Sequence, residues 1–107
     1  PEFQSVALGK HSVILNASAY KEWATDENSV LVEPNGKEDS ADGIFFKKGN
    51  PYNQGKIFTF DEDAFIDGCE KAIERYKASP ENTAGLELQE KFTYKKTVDA
   101  IMEVMDA

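Results

Sequence analysis

Hydrophobic and polar positions follow three different rhythms along this chain. Ser12–Leu15 and Val30–Val32 are short apolar runs rich in β-branched residues, the pattern of strands covered on both faces. Thirteen residues, Asn16 to Asn28, separate them. A hairpin needs only a few residues, whereas parallel neighbours need a crossover of about a dozen, so the two runs are expected to pair in parallel. Within the crossover, Ser18 is placed to cap a helix over about Ala19 to Thr25. Asp26-Glu27-Asn28 then closes it, Asn28 tolerating the left-handed conformation. Upstream, Gln4–Leu8 reads as the end of a helix, which Gly9 stops through a left-handed residue.

The second rhythm is polar and turn-rich. Pro34 to Lys56 holds four Gly and two Pro, with Gly43–Phe46 and Lys56–Phe60 as short strand candidates. A long loop or small hairpin inserted over 35–56 is expected. The third rhythm is helical. Asp61 caps a helix over 61–77 whose Phe65, Cys69, Ala72, Ile73 and Tyr76 make one apolar face, and Ala78-Ser79-Pro80 ends it. Asn82 to Lys91 reads as a shorter helix with Leu86 and Leu88 partly buried. Thr93 caps a last helix with Tyr94, Val98, Ile101, Val104 and Met105 as its buried stripe.

These patterns predict an α/β fold: a partial Rossmann-like parallel sheet with a crossover helix, followed by C-terminal helices. At 107 residues the chain makes one domain or part of one. Pro1-Glu2-Phe3 resembles a cloning remnant and is set aside; with its short lead-in, the chain reads as cut from something longer. Composition narrows the partners. The net charge of −8 opposes nucleic acid and anionic membranes, because phosphate recognition needs clustered Lys and Arg. No apolar run approaches the ~20 residues of a membrane helix. The single Cys69 has no intrachain partner, which suits a reducing, cytoplasmic setting. No metal or cofactor is indicated.

Few residues advertise chemistry by themselves. His11 is the only histidine and has no visible orienting partner, as a catalytic base needs. Cys69 and Trp23 read as packing residues. Asp61-Glu62-Asp63 lacks the spacing of an EF-hand loop and reads as capping. Asn16-Ala17-Ser18 is formally a glycosylation sequon at the end of a buried strand, a poor acceptor. Lys10 and Lys21 are candidate phosphate partners, and Phe45, Phe46 and Tyr52 a candidate recognition loop.

The same stretches resemble the C-terminal end of retaining GT-B glycosyltransferases. Ser5-Val6-Ala7-Leu8-Gly9-Lys10 followed by Val13-Ile14 is similar to that family's alanine-rich helix, glycine and strand. Ser18-Ala19 stand where glycines are usual, Glu22 falls on a family glutamate, and Asp26, Asn28 and Val30–Pro34 continue the likeness. Asp61–Asp63, Ala72–Arg75 and Phe92–Tyr94 are similar to its closing helices. The resemblance implies the donor-nucleotide-binding portion of such an enzyme over 1–107, a nucleotide diphosphate sugar as the ligand of the full-length enzyme, and no turnover by this piece alone. It implies Gln4, Ser5 and Glu22 as donor-binding residues. Gln4 replaces a glutamate expected to accept ribose hydroxyls, and so loses charge-assisted strength. That glutamate's partner would precede residue 1, and residues 35–56 exceed the usual link. The alternatives are a non-catalytic interaction module on a Rossmann-like scaffold, or a small domain of another nucleotide-binding family. Removal from a larger sheet would leave an exposed edge, so self-association is also expected.

Overall fold

The computed structural model describes residues 1–52 and 55–106. Helix α1 (Glu2–Ala7) leads into strand β1 (Val13–Leu15). Gly9, at φ +86°, makes the left-handed stop between them that a side chain would oppose. A 3₁₀ turn (Ser18–Glu22) connects β1 to β2 (Val30–Val32), and the two strands pair in parallel with Val13 opposite Val30 and Leu15 opposite Val32. The thirteen-residue crossover thus does what its length requires. The result is a mixed α/β fold with a small two-stranded parallel sheet and helices.

The crossover is not the α-helix expected over 19–25, because local side-chain bonds compete with it. Asn28 donates Nδ2 to the Trp23 carbonyl at 2.8 Å and accepts the Thr25 amide on Oδ1 at 2.9 Å, which turns the chain away at Trp23. Asn28 is not left-handed either, and Ser18 caps nothing. Among the described residues Ser18 is instead the non-glycine residue with positive φ, at 54°.

The 35–56 segment forms a hairpin base, but with a different first strand from the one expected. Strand β3 (Gly36–Asp39) pairs antiparallel with β4 (Lys56–Thr59). Cross-strand contacts hold it: Lys37 lies over the Phe58 ring, 4.8 Å from its centroid, and Lys56 pairs with Asp39. Gly43–Phe46 is a turn, not a strand, because Asp42 Oδ1 accepts the amides of Ile44, Phe45 and Phe46 at 2.8, 2.9 and 2.9 Å. A short acidic side chain bonding the backbone just ahead of it is a known turn former.

Helix α2 (Glu62–Ala78) starts at its Asp61 cap and packs across β1 and β2. It meets the sheet through Gly68, where an added Cβ would lie 3.0 Å from Val32 and 3.1 Å from Val13. Close approach at Gly68 turns the expected apolar face partly outward, and Phe65, Ile73 and Tyr76 are exposed. Asn82–Lys91 breaks into α3 (Thr83–Leu86) and α4 (Leu88–Lys91). A second core gathers there, with Val6, Ala7 and Leu88 buried against Phe3 and Trp23. Phe3 stacks edge-on with both Trp23 and Phe92, each at 5.4 Å, so the leading residues belong to the fold.

Helix α5 (Tyr94–Asp106) is capped by Thr93, whose Oγ1 accepts the Lys96 amide at 3.1 Å. Its expected buried stripe is exposed instead, Tyr94 at 95% and Met105 at 72%. Amphipathic periodicity identifies the face that seeks cover; no described element lies broadly over it. The whole is a plate of 47 × 46 × 21 Å with a radius of gyration of 17.3 Å, larger than the ~13 Å of a compact chain of this size.

Candidate functional site

In open parallel sheets, ligands bind beyond the carboxyl ends of the strands. Here that region is framed by Leu15 and Val32, where Asn16 Nδ2 donates to Glu33 Oε1 at 2.8 Å and ties the two strand exits together. Beside it lies a depression of about 280 Å³ lined by Glu2, Val13, Ile14, Leu15, Tyr20, Val32, Phe60 and Phe65. Its walls are apolar, with the Glu2 carboxylate and the Tyr20 phenol as polar groups. The Glu2 carboxyl is held below its ordinary range, first by its own backbone amide and, less, by the Tyr20 hydroxyl. An apolar recess with a few polar groups is the usual chemistry of a small-molecule site.

The three donor-site candidates do not converge on this depression. Gln4 is exposed on α1 and lines a separate groove with Phe3, Phe92, Thr93, Tyr94 and Thr97. Ser5 is half-buried, and its amide donates to the Pro1 carbonyl at 3.0 Å within the helix. Glu22 ends the 3₁₀ turn, fully on the surface. Sequence reasoning missed Glu2 and Tyr20. Glu2 lies among leading residues that read as a remnant, and Tyr20 sits in a turn too short to show a face. The one available signal was Tyr20's place just after the first strand, where such folds gather ligand contacts.

Other candidates have structural partners. His11 donates Nε2 to the Ser79 carbonyl at 2.7 Å, joining the start of β1 to the end of α2. Cys69 is half-buried on α2 and Trp23 packs against Phe3 and Tyr20. Lys10 and Lys21 are exposed, as are Phe45, Phe46 and Tyr52. Asp61 bonds the Asp63 amide at 3.4 Å, a capping contact. Among the described residues no three His, Cys, Asp or Glu side chains are grouped to hold a metal, and no helix is long and apolar enough to cross a membrane.

The arrangement defines a mixed α/β unit with a small recess along β1, bordered by Tyr20, Val32 and Phe65. No protein-family model matches the chain, and neither curated proteins nor solved structures gave a match.

Proposed function

We propose that this chain carries part of the donor-nucleotide half of a retaining GT-B glycosyltransferase, on a partial Rossmann-like sheet and in a cytoplasmic setting. One observation carries the reading. Ser18 holds a left-handed backbone at φ 54°, a conformation that favours glycine, at the position where the resembled family has glycine. A left-handed backbone at a position where glycine is usual supports the reading, because serine disfavours that conformation. Gly9, left-handed between α1 and β1, supports the same reading.

In such an enzyme the site stabilises a departing diphosphate while the hexose gains positive character, with donors fixed in place before reaction. Gln4 would accept a ribose hydroxyl, and Ser5 and Glu22 would complete the donor's surroundings. This chain supplies a minority of those groups, so transfer by it alone is not expected. Titration of the chain with nucleotide diphosphate sugars, followed by amide NMR, tests the proposal. Saturable binding of one donor, with shifts at Asn16–Glu22 and weakening by Gln4→Ala, is the expected result. Binding indifferent to Gln4 and Glu22, or none by the folded chain, overturns it.

The second reading, a non-catalytic interaction module, is favoured by a different observation. Phe65, Ile66, Ile73 and Tyr76 on α2 and the apolar face of α5 are all exposed, and large exposed apolar surfaces mark interaction sites.

A further inference from the structure

We propose that α5 is a self-association element that pairs antiparallel with α5 of a second copy of this chain. The proposal does not depend on the donor-site reading. Tyr94, Val98, Ile101 and Met105 are spaced four, three and four apart, the a/d rhythm of a helix seam. At 100° per residue these four fall within an arc of about 60°, and the five charged residues of α5 fall within an arc of about 100° on the other side. All four seam residues are exposed, from Ile101 at 54% to Tyr94 at 95%. A groove of about 560 Å³ runs beside them, floored by Phe92, Ala100, Ile101, Val104 and Met105.

The pattern is complementary to itself in one orientation. A twofold axis midway between Asp99 and Ala100 sets Tyr94 against Met105 and Val98 against Ile101 of the other copy, at both ends. Lys95, which pairs with Asp99 of its own helix at 2.7 Å, lies on the same flank as Asp106, so the same axis brings that lysine near Asp106 of the other copy. Parallel pairing would instead set Lys95 against Lys95 and align the two helix dipoles. A membrane surface fits less well, because the chain's charge of −8 is repelled by anionic lipid. A seam carried by one helix of 13 residues is small beside standard interfaces, so association is expected in the micromolar range.

Sedimentation equilibrium of the whole chain, from about 5 to about 500 μM, tests this range. The expected mass rises with concentration from 11.9 kDa toward twice that value. Ile101→Asp is expected to weaken association about tenfold or more; α5 contributes no buried residue, so circular dichroism should show the fold retained. Lys95→Glu should weaken association, and Lys95→Glu with Asp106→Lys should restore it. A single-chain mass throughout overturns the proposal, as does an Ile101→Asp variant that associates as tightly as the parent. Tighter association of Lys95→Glu alone overturns the antiparallel arrangement. Binding to phosphatidylcholine vesicles without dimerisation overturns it in favour of a membrane surface.

Discussion

Asn82 donates its side-chain Nδ2 to the Asn28 carbonyl at 2.7 Å, joining positions 54 residues apart. The same amide donates to the Lys10 carbonyl at 3.1 Å, its Oδ1 accepts the Gly85 amide at 3.1 Å, and its backbone amide donates to the Gly9 carbonyl at 2.8 Å. Asn82 is 4% exposed. One residue thus fixes the glycine stop after α1, the entry to β2 and the start of α3.

We predict that Asn82→Ala destabilises the fold by about 3 kcal/mol, since it strands the Lys10 and Asn28 carbonyls without water, while the Gly85 amide keeps the Asn82 backbone carbonyl at 3.1 Å. Asn82→Asp should also destabilise, because a carboxylate cannot donate to the two carbonyls. Urea denaturation measures both. An alanine variant within about 0.5 kcal/mol of the parent, the usual range for surface substitutions, would show that the network is dispensable.

Arg75 secures the other side of the crossover. Its guanidinium donates to the Ser29 carbonyl at 3.0 Å and to the Asp26 carbonyl at 2.8 Å. Lysine keeps the charge but lacks the planar fork. Arg75→Lys should therefore lose about 1–2 kcal/mol, read as a lower urea midpoint with an unchanged slope. Equal midpoints would remove Arg75 from the account of how the crossover is held.

The two buried helical glycines should respond differently to alanine. At Gly85 an added Cβ would stand 2.2 Å from the Val6 carbonyl oxygen, whereas at Gly68 the nearest atoms are side-chain methyls at 3.0 and 3.1 Å. Backbone cannot yield as a methyl can. Gly85→Ala should lower the melting temperature well beyond Gly68→Ala, where alanine also gains about 1 kcal/mol of helix propensity. The reverse order would mean that α1 and α3 move apart freely.

What the chain's pattern reveals and conceals follows from these contacts. The parallel pairing was legible because a thirteen-residue connection has few geometric uses, and the Asp61 cap because it is a local bond. Asn28, Arg75 and Asn82 were not legible as a network. Polar side chains that bond across 46 or 54 residues leave no periodic trace. The stripe on α5 shows the complementary limit, since Val98 and Ile101 announce an apolar face without announcing what covers it. At the candidate site, Glu2 and Tyr20 meet only because α1 and the 3₁₀ turn are brought together by the fold around Val6 and Trp23.

Acid should release the turn at Asp42. The amides of Phe46 and Ile44, with a smaller contribution from Phe45, hold its carboxyl below the ordinary value of 3.8. A carboxylate depressed on folding contributes order that is present above its unfolded pKa and is lost as pH falls through the folded value. The Ile44, Phe45 and Phe46 amide resonances are thus predicted to titrate together below pH 3.8. Asp42→Asn should weaken the turn at neutral pH and abolish that titration. Amides that titrate at or above the ordinary aspartate value would mean the three bonds do not persist in solution.

Ser18 gives the sharpest test of the loop on which the donor-site proposal rests. A left-handed residue other than glycine costs about 1–2 kcal/mol, and serine bears that cost here at φ 54° with no side-chain capping bond in return. Ser18→Gly relieves the strain but adds freedom to the unfolded chain, so a net gain of at most about 1 kcal/mol is expected. Ser18→Val should lose about 1–2 kcal/mol, because a β-branched residue is a genuine outlier in that region. Thermal denaturation ranks the three, and amide NMR of residues 16–22 reports whether the loop keeps its shape. If the order is Gly, Ser, Val, the left-handed turn exists in solution and Ser18→Gly should retain whatever donor affinity the parent chain has. If valine is tolerated as well as serine, the turn relaxes easily, and the likeness to a glycine position loses its physical basis.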